Sequence, residues 1–318
     1  MSLSVGIVGL PNAGKSTLFN ALATRRLAET AARPFTTIEP HEAVVAVPDK
    51  NLQQLTKLVK PEKSDPATVT FIDIAGLVKG AHKGEGLGNQ FLAKIREVDA
   101  IVHVVRAFFD PAVTHPHASY EPGSKEQVLE DIEIVNLELE LGEISQKPTI
   151  YVLNVEERDL KNFELIAAVE EKFSQKTLLI SAEVEEQLID FSEEERKSYI
   201  NQLGEGRSAV ERLIIFAYEL LGLITFYTIK GGKEVHAWSI KRGASALDAA
   251  GVVHTDFAKN FIKAEIINVD ELISAAPGPE GLGPGGAWKE AKDKGKVRLE
   301  GKDYIVQDKD VIEFKVGS

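Results

Sequence analysis

Apolar, β-branched runs alternate with helical stretches over the first two-thirds of the chain. Five of the runs read as strands: Ser4–Val8, Thr68–Ile74, Ala100–Val105, Thr149–Asn154 and Thr177–Ser181. Each is close to continuously apolar, the pattern of strands covered on both faces in a parallel sheet. Helices are predicted between them, near Lys15–Ala23 and Gly88–Glu97, with Arg207–Leu221 as a closing helix. Another opens at Ser124, where Ser124 as N-cap and Gln127 three residues on form a capping box. Val128, Ile132, Val135 and Leu139 then recur at helical spacing. Repeated strand–helix units predict a doubly wound α/β sheet that binds ligands at the carboxyl ends of its strands.

The pattern changes near Leu223. From Ile224 onward the predicted strands are short and alternating: Val235–Ile240, Lys296–Leu299, Tyr304–Val306 and Val311–Phe314, with one helix near Ala244–Ala250. That reads as a second, smaller α+β domain, and the Gly/Pro-rich stretch Pro277–Gly286 as a mobile loop. A chain of 318 residues has room for two domains, and the expected boundaries are 1–228 and 229–318.

Composition narrows the partners. No cysteine is present, which excludes disulfides, thiolate metal sites and cysteine nucleophiles. The net charge of −12 is concentrated: residues 121–200 hold 21 Asp/Glu against 8 Lys/Arg, whereas 229–318 hold 14 of each. Such a chain is not drawn broadly to phosphate backbones, so nucleic-acid contact must be local, as at Lys79–Lys83, and sequence-specific DNA is not an expected partner. No apolar run approaches the roughly 18–20 residues that span a bilayer, so no membrane partner is expected either. Met1–Val5 enters a strand pattern without a basic leader, and a cytoplasmic monomer is the expectation.

The chemistry begins at Gly9-Leu10-Pro11-Asn12-Ala13-Gly14-Lys15-Ser16, a full G-x-x-x-x-G-K-[ST] between a predicted strand and helix. A triphosphate needs many donors without bulk. Glycines let successive backbone N–H groups from Asn12 to Thr17 point inward, and the following helix adds its positive end. Lys15 is placed to reach the β- and γ-phosphates, and the Ser16 hydroxyl to ligate Mg²⁺. Downstream, Asp73-Ile74-Ala75-Gly76 closes a strand; Asp73 there suits Mg²⁺, and the Gly76 N–H the γ-phosphate. Between them lies Pro34-Phe35-Thr36-Thr37-Ile38-Glu39-Pro40, where Thr37, or else Thr36, is the hydroxyl expected to close on metal and γ-phosphate.

These motifs, with the run Asp73–Ala81, Gly84–Leu92 and the tail Gly301–Val306, resemble the Obg-like ATPase (YchF) family of TRAFAC-class P-loop NTPases. The resemblance covers nearly the whole chain. It implies a Ras-like G domain followed by a β-grasp domain of TGS type, ATP preferred over GTP, and backbone contacts to the base from Ser181, Ala182 and Glu183. The residues support that preference. Asn154-Val155-Glu156-Glu157 stands where guanine-specific relatives carry Asn-Lys-x-Asp. Guanine offers N1–H and a 2-amino group together to one carboxylate, whereas adenine offers a lone pair at N1. Glu157, longer than Asp by a methylene, has room to swing aside, and Asn154 can bond the purine through its amide.

Leu77 occupies the position of the water-orienting Gln of many GTPases, so slow intrinsic turnover is predicted. His115 and His117, in the loop after the strand at 100–105, are the candidates to replace it, with His82 in reserve. The resemblance favours His115, which matches a loop histidine thought to be catalytic. In K⁺-stimulated relatives an asparagine at the position of Asn12 ligates a monovalent cation; capping of the loop is the alternative. The resemblance also implies a long helical hairpin before the strand containing Asn154. Here Leu137–Gln146 runs straight into Lys147-Pro148, so that insert is missing near 142–147. Taken together, the expected function is a nucleotide-controlled ATPase switch read by the ribosome or its subunits. Its rivals are a regulatory ATP/ADP-binding module with incidental hydrolysis and a GTP-specific switch. A small-molecule kinase lacks an evident acceptor pocket.

Overall fold

The computed structural model describes residues 3–29, 41–74, 87–115, 119–204, 206–275 and 286–317. In chain order the elements run β1 (Ser4–Val8), α1 (Lys15–Glu29), β2 (Glu42–Ala46), α2 (Lys50–Val59), β3 (Lys63–Asp65), β4 (Thr68–Asp73), α3 (Leu87–Glu97) and β5 (Ala100–Arg106). Next come α4 (Lys125–Leu141), β6 (Thr149–Asn154), α5 (Phe163–Phe173), β7 (Thr177–Ile180), α6 (Ala182–Gln187), α7 (Glu193–Leu203) and α8 (Ala209–Leu220). The rest comprises β8 (Leu223–Lys230), β9 (Glu234–Lys241), α9 (Ala246–Val253), α10 (Thr255–Lys259), β10 (Phe261–Asn268), α11 (Val269–Ala275), α12 (Gly286–Asp293), β11 (Arg298–Glu300) and β12 (Asp310–Val316). None of the described helices is long and apolar enough to cross a membrane.

Two units divide the chain: Met1–Ala46 with Val69–Leu221, and Val47–Thr68 with Gly222–Ser318. The expected cut at 228/229 would run through β8, which hydrogen-bonds along its whole length from Leu223 to Lys230 with β9. The strand therefore belongs to one unit. Residues 47–68 also join the second unit, because β3 extends its sheet beside β9.

The first unit is an α/β sheet in the order β2-β4-β1-β5-β6-β7. The pairs β4/β1, β1/β5, β5/β6 and β6/β7 are all parallel, as the continuous apolar runs predict. Parallel pairing brings the carboxyl ends of these strands to one edge, where the loops carrying the sequence motifs emerge. Beneath, Val8, Ile74, Phe91, Ile95, Ile101, Val135 and Leu139 form one core cluster, and Val105, Val128, Ile132, Tyr151, Leu153, Val169 and Leu179 another. The periodic face of α4 serves both. Ser124 caps that helix by accepting from the Gln127 N–H. The carboxamide of Gln127 departs from a capping box: its oxygen accepts from Gly123 N, 2.8 Å, and its nitrogen donates to Arg106 O, 3.0 Å.

Helix α4 ends in a closed turn rather than a hairpin. Gly142 N donates to Glu138 O, Ile144 N reaches back to Leu139 O, and Glu143 takes the left-handed φ of 58° between them. Arg96 donates to Gly142 O at 2.9 Å, so the turn is tied to α3. The chain then enters β6 directly.

In the second unit the sheet order is β11-β10-β12-β8-β9-β3. The hairpin β8/β9 is followed by α9 and by β10, and β12 returns between β10 and β8, antiparallel to the first and parallel to the second. This is a β-grasp arrangement. Ile224, Phe226, Ile240, Ala249, Ala264, Ile266 and Ile312 fill the core under α9. Asp49 joins the excursion to this core with both carboxylate oxygens. Oδ1 caps α2 through Asn51 N and Leu52 N, and Oδ2 accepts from the buried Tyr227 hydroxyl, 2.7 Å. The expected strand Tyr304–Val306 is a single bridge from Ile305 to Ser245, because Tyr304 N turns back to Gly301 O instead of pairing. Residues 277–285 of the expected loop lie outside the described residues.

Candidate active site

A cavity of about 660 Å³ opens at the carboxyl edge of the first sheet. Its floor is the predicted phosphate loop, with Asn12, Gly14, Lys15, Ser16 and Thr17 on the lining. Two glycines make the loop possible. Gly9, at φ +152°, lies so close to β5 that an added Cβ would stand 2.2 Å from Val104 O. Gly14, at φ +94°, would put one 2.2 Å from Asn154 Nδ2. Both positions lie where side chains are strained.

Lys15 begins α1, and its ammonium donates to Leu10 O at 2.8 Å. Burial lowers its pKa, while the Asp73 carboxylate opposes that shift. Asp73, the last residue of β4, keeps Oδ1 buried with no hydrogen-bond partner among the described residues. A bare buried carboxylate oxygen is costly unless a cation or donor meets it. With the Ser16 hydroxyl on the cavity lining, this oxygen-only donor set fits a hard divalent cation such as Mg²⁺. Thr36, Thr37, Gly76, Leu77, His82, Lys79–Lys83 and His117 lie outside the described residues.

On the far wall, Asn154 ends β6 and Ser181 follows β7, so parallel pairing places them side by side. The Asn154 amide is a strut: Nδ2 donates to Ala13 O, 3.0 Å, and Oδ1 accepts from Ala182 N, 3.0 Å. It fixes the phosphate loop, with the buried Ala13, against the N-terminus of α6, which Ser181 caps. Direct bonding of the purine by Asn154, as expected from sequence, competes with this strut. Val155 and Ala182 are on the cavity lining. Glu157 is not: its carboxylate accepts the Tyr199 hydroxyl from α7 instead. Glu156, Glu183 and Glu186 supply the acidic part of the rim.

The third wall, Phe108–Pro111 with Val113, follows β5. Arg106, 1% exposed, organises it from below. Its guanidinium donates to Phe108 O, Asp110 O and Val113 O and lies 4.7 Å from the Phe108 ring centroid. Asn12, at φ 63°, donates from its amide to Thr114 O, 3.0 Å, and so ties the phosphate loop to this wall. The amide nitrogen thus takes the capping role considered for Asn12; its oxygen is the atom a monovalent cation would use. His115 comes next. Its side chain is 5% exposed, its Nε2 lies 3.0 Å from Asp131 Oδ2 on α4, and it is not on the cavity lining. Gln127 Nε2 shares the same Asp131 oxygen at 2.5 Å. In this conformation His115 is held by Asp131 of α4.

One buried group bears on stability rather than chemistry. His103, in the middle of β5, is fully buried, edge-on to Tyr151 with centroids 5.5 Å apart. Burial, with repulsion from Lys15, brings its pKa down to about 3. The unfolded chain takes up this proton near pH 6.5, and the folded chain does not until about 3. The stability that depends on a neutral imidazole is therefore complete above pH 6.5 and is lost progressively as pH falls toward 3. Going from pH 7.5 to 5 should cost about 2 kcal/mol from this group. Urea unfolding at both pH values checks this, and His103→Leu should flatten that part of the slope.

With the geometry established, likeness to known proteins decides the family. The YchF-GTPase_C family model, described as a protein of unknown function, matches residues 223–317, and the model described as a 50S ribosome-binding GTPase matches residues 4–155. A protein of Bacillus subtilis (strain 168) named ribosome-binding ATPase YchF is 38% identical over 381 residues, covering 99% of each chain. The chain belongs to the YchF family. The YchF of Escherichia coli O157:H7 is also 38% identical, over 377 residues and 99% of each chain. The solved structure of the Schizosaccharomyces pombe YchF GTPase superposes with a TM-score of 0.79 at 31% identity, covering 99% of this chain and 98% of that one. An α/β P-loop domain with a second, C-terminal domain is thus the YchF architecture. An alignment of 381 positions against 318 residues also means that the Bacillus YchF carries segments that this chain lacks. The closed turn after α4 lies where the sequence suggests one such insert is missing.

Sequence reasoning gave no site role to Arg106, Asp131 or Tyr199, nor to Gln127 beyond the cap of α4. Arg106 carried a signal, a lone cation closing the apolar run Ala100–Val105; the other three sit on helices and reach the site only through tertiary contact.

Proposed function

We propose that this YchF-family chain is a Mg²⁺-dependent nucleoside triphosphatase, with ATP preferred over GTP, that serves as a nucleotide-controlled switch for the ribosome. The observation that carries the reading is the cavity floor, where the phosphate loop presents Lys15 beside a buried oxygen of Asp73 that has no partner among the described residues. Backbone N–H groups of the loop and the Lys15 ammonium bind the polyphosphate. Ser16, Asp73 and, as the sequence reading has it, Thr37 hold the metal, which when bound neutralises charge on the phosphates. The Phe108–Val113 wall and the Val155, Ser181 and Ala182 side frame the base. The relatives named ribosome-binding ATPase suggest the partner, and a TGS-type second domain in a cytoplasmic monomer fits that setting.

Turnover in the free protein is slow on this reading, because Leu77 cannot orient water and His115 is engaged with Asp131. Docking that releases the 107–115 loop from α4 lets the imidazole enter the cavity. Single-turnover hydrolysis of labelled ATP, with and without ribosomes, tests this in the wild type and in His115→Ala. Ribosomes should accelerate the wild type by roughly 10²-fold, the scale of one positioned water-handling side chain, and His115→Ala should lose most of that gain. A flat rate alongside ATP-dependent ribosome capture would favour the regulatory binding module instead.

A further inference from the structure

We propose that Tyr199 helps set the base preference of the cavity by holding the Glu157 carboxylate out of it; this rests on the nucleotide-binding reading above. Asn154, Val155 and Glu156 follow one another along the cavity wall, but the next residue, Glu157, is not on the lining. Its Oε1 accepts the Tyr199 hydroxyl across 42 residues of sequence. The donor is well anchored. The Tyr199 ring packs edge-on against Phe191, with centroids 6.2 Å apart and planes at 84°. Its helix, α7, starts with a full Ser192/Glu195 capping box, and Arg196 ties it to Leu188 O at 3.0 Å. Neighbouring cationic charge does not take Glu157 instead, since Arg158 pairs with Glu156 at 3.0 Å and Asp159 at 3.7 Å.

The position of that carboxylate matters because of what each purine offers. A carboxylate swung in beside Glu156 would accept guanine's N1–H and 2-amino group together, and the same group would face the lone pair at adenine N1. Bonded to Tyr199, Glu157 does neither. The rim that remains is acceptor-rich, with Asp110, Glu156, Glu183 and Glu186. A carboxylate opposite position 6 of the ring favours the donating amino group of adenine and repels the O6 of guanine. Tyr199 is therefore a positioning residue, acting through Glu157.

The test is equilibrium titration of the full chain with fluorescent ADP and GDP in the presence of Mg²⁺, read as the ratio of the two Kd values. Wild type should favour ADP. Tyr199→Phe should tighten GDP by about three- to tenfold, the scale of one charge-assisted hydrogen bond at a partly exposed site, with ADP within about twofold. Adding Glu157→Ala to Tyr199→Phe should restore the wild-type ratio, which a merely structural role for the tyrosine would not do. Glu157→Asp, too short to keep the Tyr199 bond, should move the ratio in the same direction as Tyr199→Phe and serves if that variant folds poorly. An unchanged ratio in both Tyr199→Phe and Glu157→Asp overturns the inference alone. Wild-type preference for GDP also overturns it, because Glu157 would then already be reading guanine. Wild type that binds neither nucleotide defeats the nucleotide-binding reading itself.

Discussion

Lys15→Ala should weaken Mg²⁺–ATP binding by at least ~10²-fold and reduce hydrolysis to background, with little change in melting temperature. The side chain stands at the first residue of α1, where the helix end and the loop amides already favour anions. The backbone contributes partial charges only; among the described cavity-lining residues the ammonium is the one full positive charge, against Asp110, Glu156, Glu183 and Glu186. Removing it leaves a rim that repels a triphosphate. Its present hydrogen bond to Leu10 O, 2.8 Å, is to a neutral carbonyl and is readily exchanged for phosphate oxygens. Stability should barely move, because Lys15 is only partly buried and its burial already works against its charge. Lys15→Arg should not rescue binding, since a planar fork does not substitute for a compact ammonium in a loop shaped around one. Titration with a fluorescent ATP analogue, together with a thermal melt, checks both halves. Retained affinity in Lys15→Ala would remove the phosphate loop from the account.

How much of this was legible beforehand follows from the range over which each feature is encoded. The strands β1, β5, β6 and β7 are buried almost throughout and β4 carries Val69, Phe71 and Ile72 within six residues, so each announces itself within its own few residues. The phosphate loop is legible for the same reason: consecutive backbone atoms do the binding, and the sequence need only permit the path. Helix α2 was missed although Leu52, Leu55 and Val59 carry its buried face. That periodicity tells which side of a helix is buried and not against which sheet, so the transfer of residues 47–68 to the second unit was not readable either. Strand β10 was overlooked because only its second half, Ala264–Ile267, is buried, while Ile262 and Lys263 are exposed. At the site, the failures are contacts between distant residues. Asn154 looks like a base reader until Ala13 and Ala182 take its amide. His115 looks like a free loop histidine until Asp131 is found beside it on α4. Glu157 looks like a base contact until Tyr199 claims it.

Gly9→Ala is the substitution expected to do most damage to the fold. The loop leaves β1 at this residue while β1 is still hydrogen-bonded to β5, with Val8 opposite His103. A methyl group here would stand 2.2 Å from Val104 O and 3.2 Å from Val104 C, both backbone atoms. Relief would require β5 to move, but β5 is paired with β1 on one side and β6 on the other, and every one of its residues is buried. The φ of +152° adds a conformational cost of its own. Strain and overpacking together predict a loss of about 3–5 kcal/mol and a melting temperature lower by roughly 10 °C. Gly14→Ala provides the internal contrast. Its obstacle is the Asn154 side chain, 2.2 Å away, so in an Asn154→Ala background the added cost of Gly14→Ala should shrink by about 1 kcal/mol or more. Gly9→Ala should gain nothing from Asn154→Ala, because the atoms it strikes belong to the sheet. Chemical denaturation of the single and double variants distinguishes these cases. If Gly9→Ala melted with the wild type, the close approach of the phosphate loop to β5, and with it the position assigned to Lys15 beside Asp73, would be wrong.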